Sequence, residues 1–144
     1  MKVLIKSEKG AKIPVFGSSQ AAGADLCAFI KDDYVLKPHT WFAVPTGLRI
    51  ALEDGYEAQI RPRSGLAYKY GLTVLNTPGT IDSDYRGEIF VILMNHSERD
   101  FIIHNGDRIG QLVINKYEKF CFEQTDVLPD SERGEKGLGS TGIK

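Results

Sequence analysis

Turn-forming pairs cut this chain into segments of strand length. Lys37-Pro38, Asp54-Gly55, Pro78-Gly79 and Asn105-Gly106 mark four such breaks, each made of residues whose backbone preferences favour a bend. Between the breaks, apolar residues recur at every second position: Val3/Ile5, Leu26/Ala28/Ile30, Leu48/Ile50/Leu52 and Tyr56/Ala58/Ile60. Period two places such side chains on one face of a strand, whereas a helix needs spacings of three and four. The run from Ile89 to Met94 is apolar throughout, as in a strand buried on both faces or set against another subunit. One short helix is predicted from Ser64 to Tyr70, with Ser64 as N-cap and Gly71 as its stop. The pattern predicts an all-β fold, a jelly-roll-like β-sandwich with a single short helix.

At 144 residues, 42% of them hydrophobic, the chain is long enough for one domain with a real core. The expected division is a β-sandwich over residues 1–128 and a flexible glycine-rich arm over 129–144. Eighteen basic side chains against nineteen acidic leave a formal charge of −1. That balance excludes a general nucleic-acid binder, whose affinity comes from excess Lys and Arg on phosphates. Cys27 and Cys121 have no CxxC partner and read as small core residues in a reducing compartment. His39, His96 and His104 are scattered, which speaks against a zinc site. The polar start and the lack of any apolar run of membrane-spanning length predict no membrane association. A cytoplasmic protein is expected, with a nucleus equally permitted if the source is eukaryotic.

Several segments carry groups suited to phosphate and nucleoside chemistry. Pro62-Arg63-Ser64-Gly65-Leu66 sets a guanidinium, a hydroxyl and a glycine at the mouth of the helix, where unpaired N–H groups point outward. Ser64 could equally be a simple cap. In Asn76-Thr77-Pro78-Gly79-Thr80-Ile81-Asp82-Ser83-Asp84-Tyr85, Pro78-Gly79 fits a type II turn, and Asn76 with the hairpin backbone offers donors and acceptors to a base. Asp82 and Asp84 share a face if extended, or cap turns. Asp25 opens a strand, where a carboxylate can hold a hydrated cation. In Gly106-Asp107-Arg108-Ile109-Gly110-Gln111-Leu112, Gln111 is one polar group among apolar neighbours, behind a turn and an ion-pair candidate. The last segment combines Arg133 and Gly134 with Gly137-Leu138-Gly139-Ser140-Thr141-Gly142. It is either a frayed terminus or a loop able to wrap an anion. It lacks the lysine of a P-loop.

Taken together, these segments resemble the five ordered motifs of the trimeric dUTP diphosphatase (dUTPase) family. They read AGADL at 22–26, RPRSGLA at 61–67, GTIDSDYRGE at 79–88, GDRIGQL at 106–112 and RGEKGLGSTG at 133–142. Ten of the fifteen glycines fall inside them, so the glycine surplus sits where backbone must approach base or phosphate. The resemblance implies a Mg²⁺-assisted hydrolase that converts dUTP to dUMP and diphosphate. Such an enzyme keeps uracil out of DNA and supplies dUMP for thymidylate synthesis. It also implies a homotrimer whose active sites are each shared among three subunits.

On that resemblance, Asp82 orients and deprotonates the attacking water, and Asp25 holds a water on Mg²⁺. Arg63, Ser64, Gly65 and Gln111 contact the phosphates from a second subunit. Arg133, Gly139, Ser140 and Thr141 close over the γ end from a third. Asn76, Gly79, Thr80 and Ile81 face uracil, Tyr85 packs under the deoxyribose, and Phe90 neighbours the nucleoside unless its strand parity turns it to the core. A dCTP deaminase, a nucleotide-dependent binding module and a capsid-type oligomer are the competing readings. The Ser-Asp-Tyr-Arg-Gly run at 83–87 and the five separated phosphate-suited segments fit them less well.

One departure stands out. The family's tail motif usually has phenylalanine where this chain has Leu138. Leucine can cover the base but forgoes aromatic stacking, worth about 1–3 kcal/mol per base. Leu138→Phe is therefore predicted to lower the KM for dUTP while leaving kcat intact. Steady-state kinetics checks this, and an unchanged KM would show that Leu138 does not cover the base.

Overall fold

A computed structural model describes residues 2–137 of the chain. Twelve strands and one helix form among them. The strands are β1 (Leu4–Ser7), β2 (Val15–Phe16), β3 (Ala24–Cys27), β4 (Tyr34–Leu36), β5 (Trp41–Pro45) and β6 (Leu48–Ala51). They continue as β7 (Tyr56–Arg61), then helix α1 (Ser64–Tyr70), β8 (Leu72–Val74), β9 (Gly79–Ile81), β10 (Phe90–Asn95), β11 (Phe101–Ile103) and β12 (Arg108–Lys116).

All strand pairs are antiparallel. The largest sheet has the order β2-β3-β12-β7-β9, the next β5-β10-β8, and β1-β6 and β4-β11 pair separately. In the large sheet β3 and β12, from opposite ends of the chain, lie side by side. β12 lies between β3 and β7, which brings the segments around residues 25, 61 and 111 side by side.

The expected alternation holds through most of the core. Leu48, Ile50 and Leu52 are buried, as are Ala58 and Ile60, and they join Leu26, Leu36, Val44, Val91 and Ile109 in one apolar cluster. Burial of such a face is the main stabilising term for short strands that could not stand alone. The N-terminal pair is looser: Val3 packs only partly on the core, and Ile5 remains 38% exposed. The apolar run at 89–94 also resolves by parity. Ile89, Val91 and Leu93 are buried, Phe90 is exposed, and Ile92 and Met94 are half-buried. Among the described residues, one face of β10 is fully buried and the other is exposed to half-buried.

Three local expectations are corrected. Ser64 is the first helical residue rather than the cap. Arg63 occupies the cap position with extended backbone (φ −91°, ψ 126°), and no side chain caps the helix. Pro78-Gly79 is not a type II turn, because Gly79 lacks the required positive φ and starts β9, where it pairs with Ile60. The bend lies earlier, where the Thr77 N–H donates to the Val74 carbonyl at 3.1 Å. Of the two arrangements open to Asp82 and Asp84, the extended one does not form, since the chain turns there with the Tyr85 N–H on the Asp82 carbonyl at 3.1 Å. Of the two cysteines, Cys27 is buried as expected, but Cys121 is exposed. It lies beyond β12, where residues 118–137 are exposed and have no strand or helix. Gly71 does end the helix, in the left-handed conformation at φ 66°.

One polar side chain pins several of these pieces together. Asn95, fully buried at the end of β10, donates through Nδ2 to the Leu36 carbonyl at 3.0 Å and the Arg99 carbonyl at 2.8 Å. Its Oδ1 accepts from the Ser97 N–H and hydroxyl at 2.9 and 2.8 Å. Removing it would leave the buried Leu36 carbonyl without this donor and the Ser97 N–H without its acceptor. Asn95→Ala is predicted to destabilise the fold by roughly 3 kcal/mol, read as a lower urea midpoint. A midpoint equal to that of the unmodified chain would contradict this role.

Candidate active site

The functional side chains fall into two clusters. The first is built on the β3–β12 ladder, where Asp25 pairs with Gln111, and on the β12–β7 ladder, where Gln111 pairs with Arg61. Two residues past Arg61 the chain turns into α1, which brings Arg63 back over the sheet. Arg63 Nε donates to Asp25 Oδ1 at 3.1 Å, and Arg63 Nη1 donates to the Arg108 carbonyl at 3.3 Å. Arg108 Nη1 donates to Asp25 Oδ2 at 3.3 Å. Gln111 Nε2 completes the group, 3.5 Å from Asp25 Oδ1.

Asp25 itself is only 6% exposed. A carboxylate at that depth needs counter-charge, and two guanidinium groups supply it. Both arginines keep their side chains partly open to solvent, so the cluster is a buried anion beneath accessible cations. Ser64 and Gly65, both exposed, follow Arg63 directly, and as the first helical residues their N–H groups have no partner within the helix. Asp107 is not the partner of Arg108. Its Oδ2 accepts the His104 N–H at 2.8 Å and caps the turn. Nearby, burial pushes the Cys27 thiol above its ordinary range, which makes it a packing residue and a poor nucleophile.

The second cluster is a cleft of about 220 Å³ lined by Ile60, Asn76, Gly79, Thr80, Ile81, Asp82, Tyr85, Glu88, Ile89, Phe90 and Ile92. Every nucleoside-facing candidate among the described residues is therefore gathered here, Leu138 lying outside them. Phe90 is on the cleft side and 42% exposed, between the buried Ile89 and Val91. Asn76 packs against Gly79, where a Cβ would come within 3.1 Å of its Nδ2. Asp82 is exposed at the edge, and its carboxylate is free of hydrogen bonds and ion pairs among the described residues. It is thus available to water.

No residue of the Asp25 cluster lines this cleft. The two halves lie on different parts of one chain. Arg133 joins neither: it sits in the exposed terminal segment with Nε on the Lys136 carbonyl at 2.9 Å. Leu138, Gly139, Ser140 and Thr141 lie outside the described residues. Two participants were not singled out for the site from sequence. Arg108 was visible only as a charge beside Asp107, and Glu88 only as the last letter of a motif. Their partners are 83 and 41 positions away, beyond any local pattern.

Among the described residues, no group of three or more His, Cys, Asp or Glu side chains could hold a metal. A cation held by protein alone does not fit here. Mg²⁺ brought by a triphosphate does fit, since that ion keeps several waters and takes one or two carboxylates beside substrate phosphates, and Asp25 is one such carboxylate. Also among the described residues, no helix is long and apolar enough to cross a membrane.

Comparison with known proteins gives the chain a family. The dUTPase family profile matches residues 9–142. A deoxyuridine 5′-triphosphate nucleotidohydrolase from Treponema denticola is 53% identical over 143 residues, covering 99% of both chains. One from Orientia tsutsugamushi (strain Ikeda) is 50% identical over 148 residues, covering both completely. Among solved structures, a Staphylococcus bacteriophage 80alpha dUTPase mutant with dUpNHpp superposes with a TM-score of 0.85 at 24% identity, covering 99% of both chains. A mutant dUTPase from phage phi11 of S. aureus, in which a structural Mg(II) ion is coordinated, gives 0.81 at 19% identity over 90% of this chain and 100% of its own. The structures speak to the fold, and the jelly-roll-like architecture expected from the strand pattern is the one found. With its full length aligned to relatives about half identical to it, and its two clusters lying on the motifs that carry the likeness, this chain belongs to the dUTPase family.

Proposed function

We propose that Asp82 orients and deprotonates a water that attacks the α-phosphorus of dUTP. The new bond joins the water oxygen to that phosphorus, the bond to the β-phosphate oxygen breaks, and diphosphate leaves. The products are dUMP and diphosphate, the reaction of a dUTPase. The observation that carries this reading is the cleft itself, where Asn76, Gly79, Thr80, Ile81, Tyr85 and Phe90 converge beside Asp82, whose carboxylate has no partner among the described residues. In it the hairpin at 76–82 faces uracil through backbone groups, and its close walls exclude a thymine methyl. Tyr85 lies under the deoxyribose and leaves no room for a 2′-hydroxyl.

The phosphate chain is served by the other cluster. Arg63, Ser64, Gly65 and Gln111 contact it, and the guanidinium of Arg63, only partly buried against Asp25, can turn toward an arriving anion. Such groups act by positioning and by stabilising developing charge. Bound Mg²⁺ would supply neutralisation of the triphosphate and hold its phosphates in one arrangement. Asp25 would accept a hydrogen bond from a water of that ion.

The cleft and the Asp25 cluster share no residue in one chain, which supports a complete site assembled between subunits of a homotrimer. Surface composition supports this. Phe120, Phe122, Val127 and Leu128 are between 76% and 93% exposed in the terminal segment, and Trp41 is 62% exposed beside the open face of β10. Apolar surface of that extent is suited to coverage by partner chains. The arm from residue 129 onward then closes over a neighbouring site, with Arg133, Gly139, Ser140 and Thr141 at the γ end and Leu138 over the base.

A diphosphate-release assay with Mg²⁺ and dUTP, dCTP, dTTP or UTP tests the reading, run on the unmodified chain and on Asp82→Asn. Turnover of dUTP alone is predicted. The variant should bind dUTP yet hydrolyse it roughly a hundred- to ten-thousand-fold more slowly, the usual contribution of a positioned base. Full turnover by the variant would remove Asp82 from this role, and ammonia release from dCTP would overturn the substrate.

A further inference from the structure

Tyr85 is a wall of the nucleoside cleft, yet its ring is 45% exposed and so is not fixed by burial. Two features hold it instead. Its hydroxyl donates to the main-chain carbonyl of Glu88 at 2.9 Å. Its ring lies against Gly87, where a Cβ would overlap the hydroxyl and the adjoining ring carbons. The placement of the ring therefore follows the placement of the backbone at 87–88.

That backbone is tied down by its own side chain. Glu88 Oε1 accepts the Gly47 N–H at 2.8 Å. Gly47 stands in the β5–β6 turn at φ 69°, with a Cβ there falling 2.7 Å from Phe29 Cδ1 and 2.8 Å from Ala11 Cβ. This turn is rigidly packed and offers a fixed donor. Two further bonds join the same turn to the next residue: Thr46 Oγ1 to the Ile89 carbonyl at 2.6 Å, and the Ile89 N–H to the Leu48 carbonyl at 2.8 Å. By contrast, the loop before Gly87 is held mainly to itself. Arg86 Nη1 bonds the Ser83 and Tyr85 carbonyls, and the Tyr85 N–H bonds Asp82. Glu88 is the point where the side of the loop bearing Tyr85 meets the core.

We propose that Glu88 is a positioning residue for sugar specificity, fixing through Gly47 the carbonyl that holds the Tyr85 hydroxyl and so setting whether the cleft rejects a ribonucleotide. This rests on the reading of Tyr85 as the wall under the deoxyribose. A purely structural Glu88 would affect stability but not the choice between sugars, because discrimination depends on differential contacts at the 2′ position.

The test is the ratio of kcat/KM for dUTP to that for UTP, measured in the unmodified chain, Glu88→Ala, Glu88→Gln, Tyr85→Phe and Tyr85→Ala. Glu88→Ala and Tyr85→Phe should each lower the ratio about tenfold, through a raised KM for dUTP and a lowered one for UTP. Glu88→Gln should restore the ratio to within about twofold, since its amide oxygen still accepts from Gly47. If Tyr85→Ala lowers the ratio and Glu88→Ala leaves it unchanged, the inference is wrong while the reading of the cleft stands. If Tyr85→Ala leaves it unchanged, that reading of Tyr85 fails and the inference with it. Should Glu88→Ala not fold, Tyr85→Phe carries the test alone, and an unchanged ratio there overturns the proposal.

Discussion

A carboxylate buried to the depth of Asp25 costs several kcal/mol if left alone, and the large sheet is arranged so that it is not. Its partners come from three places: Arg63 from the turn into α1, Arg108 from the start of β12 and Gln111 from within β12. To bring them together, β12 must lie between β3 and β7, which is the sheet order observed. The same requirement explains why Arg63 adopts extended backbone at the helix cap: its side chain reaches down to Asp25 while its main chain opens the helix. Three of the five motifs thus meet at one buried charge. What they leave facing solvent are cations and N–H groups, the chemistry a triphosphate needs.

The other half of the site obeys a different constraint. It is shaped by hydrogen bonds and close contacts rather than by charge: the 76–81 hairpin along β7, Tyr85 against Gly87, and Glu88 on Gly47. Its two carboxylates are Glu88, which accepts the Gly47 N–H, and Asp82, which is unpaired among the described residues. A rigid, mostly uncharged recognition cleft separated from a cationic anchor makes sense when the two serve one ligand from different subunits. Each chain then stabilises its own two halves independently, and the assembly completes the site.

Much of this was legible in the sequence. Period-two apolar positions marked the core strands at 48–52 and 56–60, and the helix at Ser64–Tyr70 was bounded correctly by its glycine stop. The roles assigned on the family resemblance covered every residue later found in the cleft except Ile60, Glu88, Ile89 and Ile92. The failures share a cause: tertiary contact overrode a local preference. Ser64 has the chemistry of a cap, but the Arg63–Asp25 pair sets where the helix begins. Pro78-Gly79 has the composition of a type II turn, but pairing with Ile60 draws Gly79 into β9. Cys121 suits a core, yet it follows the last strand, outside the sandwich. Arg108 and Glu88 escaped notice as site residues because each is defined by a partner distant in sequence.

The central claim is that one active site joins the Asp82 cleft of one chain to the Asp25–Arg63 cluster of another. Coexpression of Asp82→Asn chains with Arg63→Ala chains tests it most directly. Each homotrimer alone should be nearly inactive toward dUTP. In random mixtures, about a quarter of the sites would pair an intact cleft with an intact cluster, so diphosphate release should recover to a comparable fraction of the unmodified rate. No recovery in mixed trimers, with both variants folded and assembled, would place both halves of the site in a single chain and contradict the account.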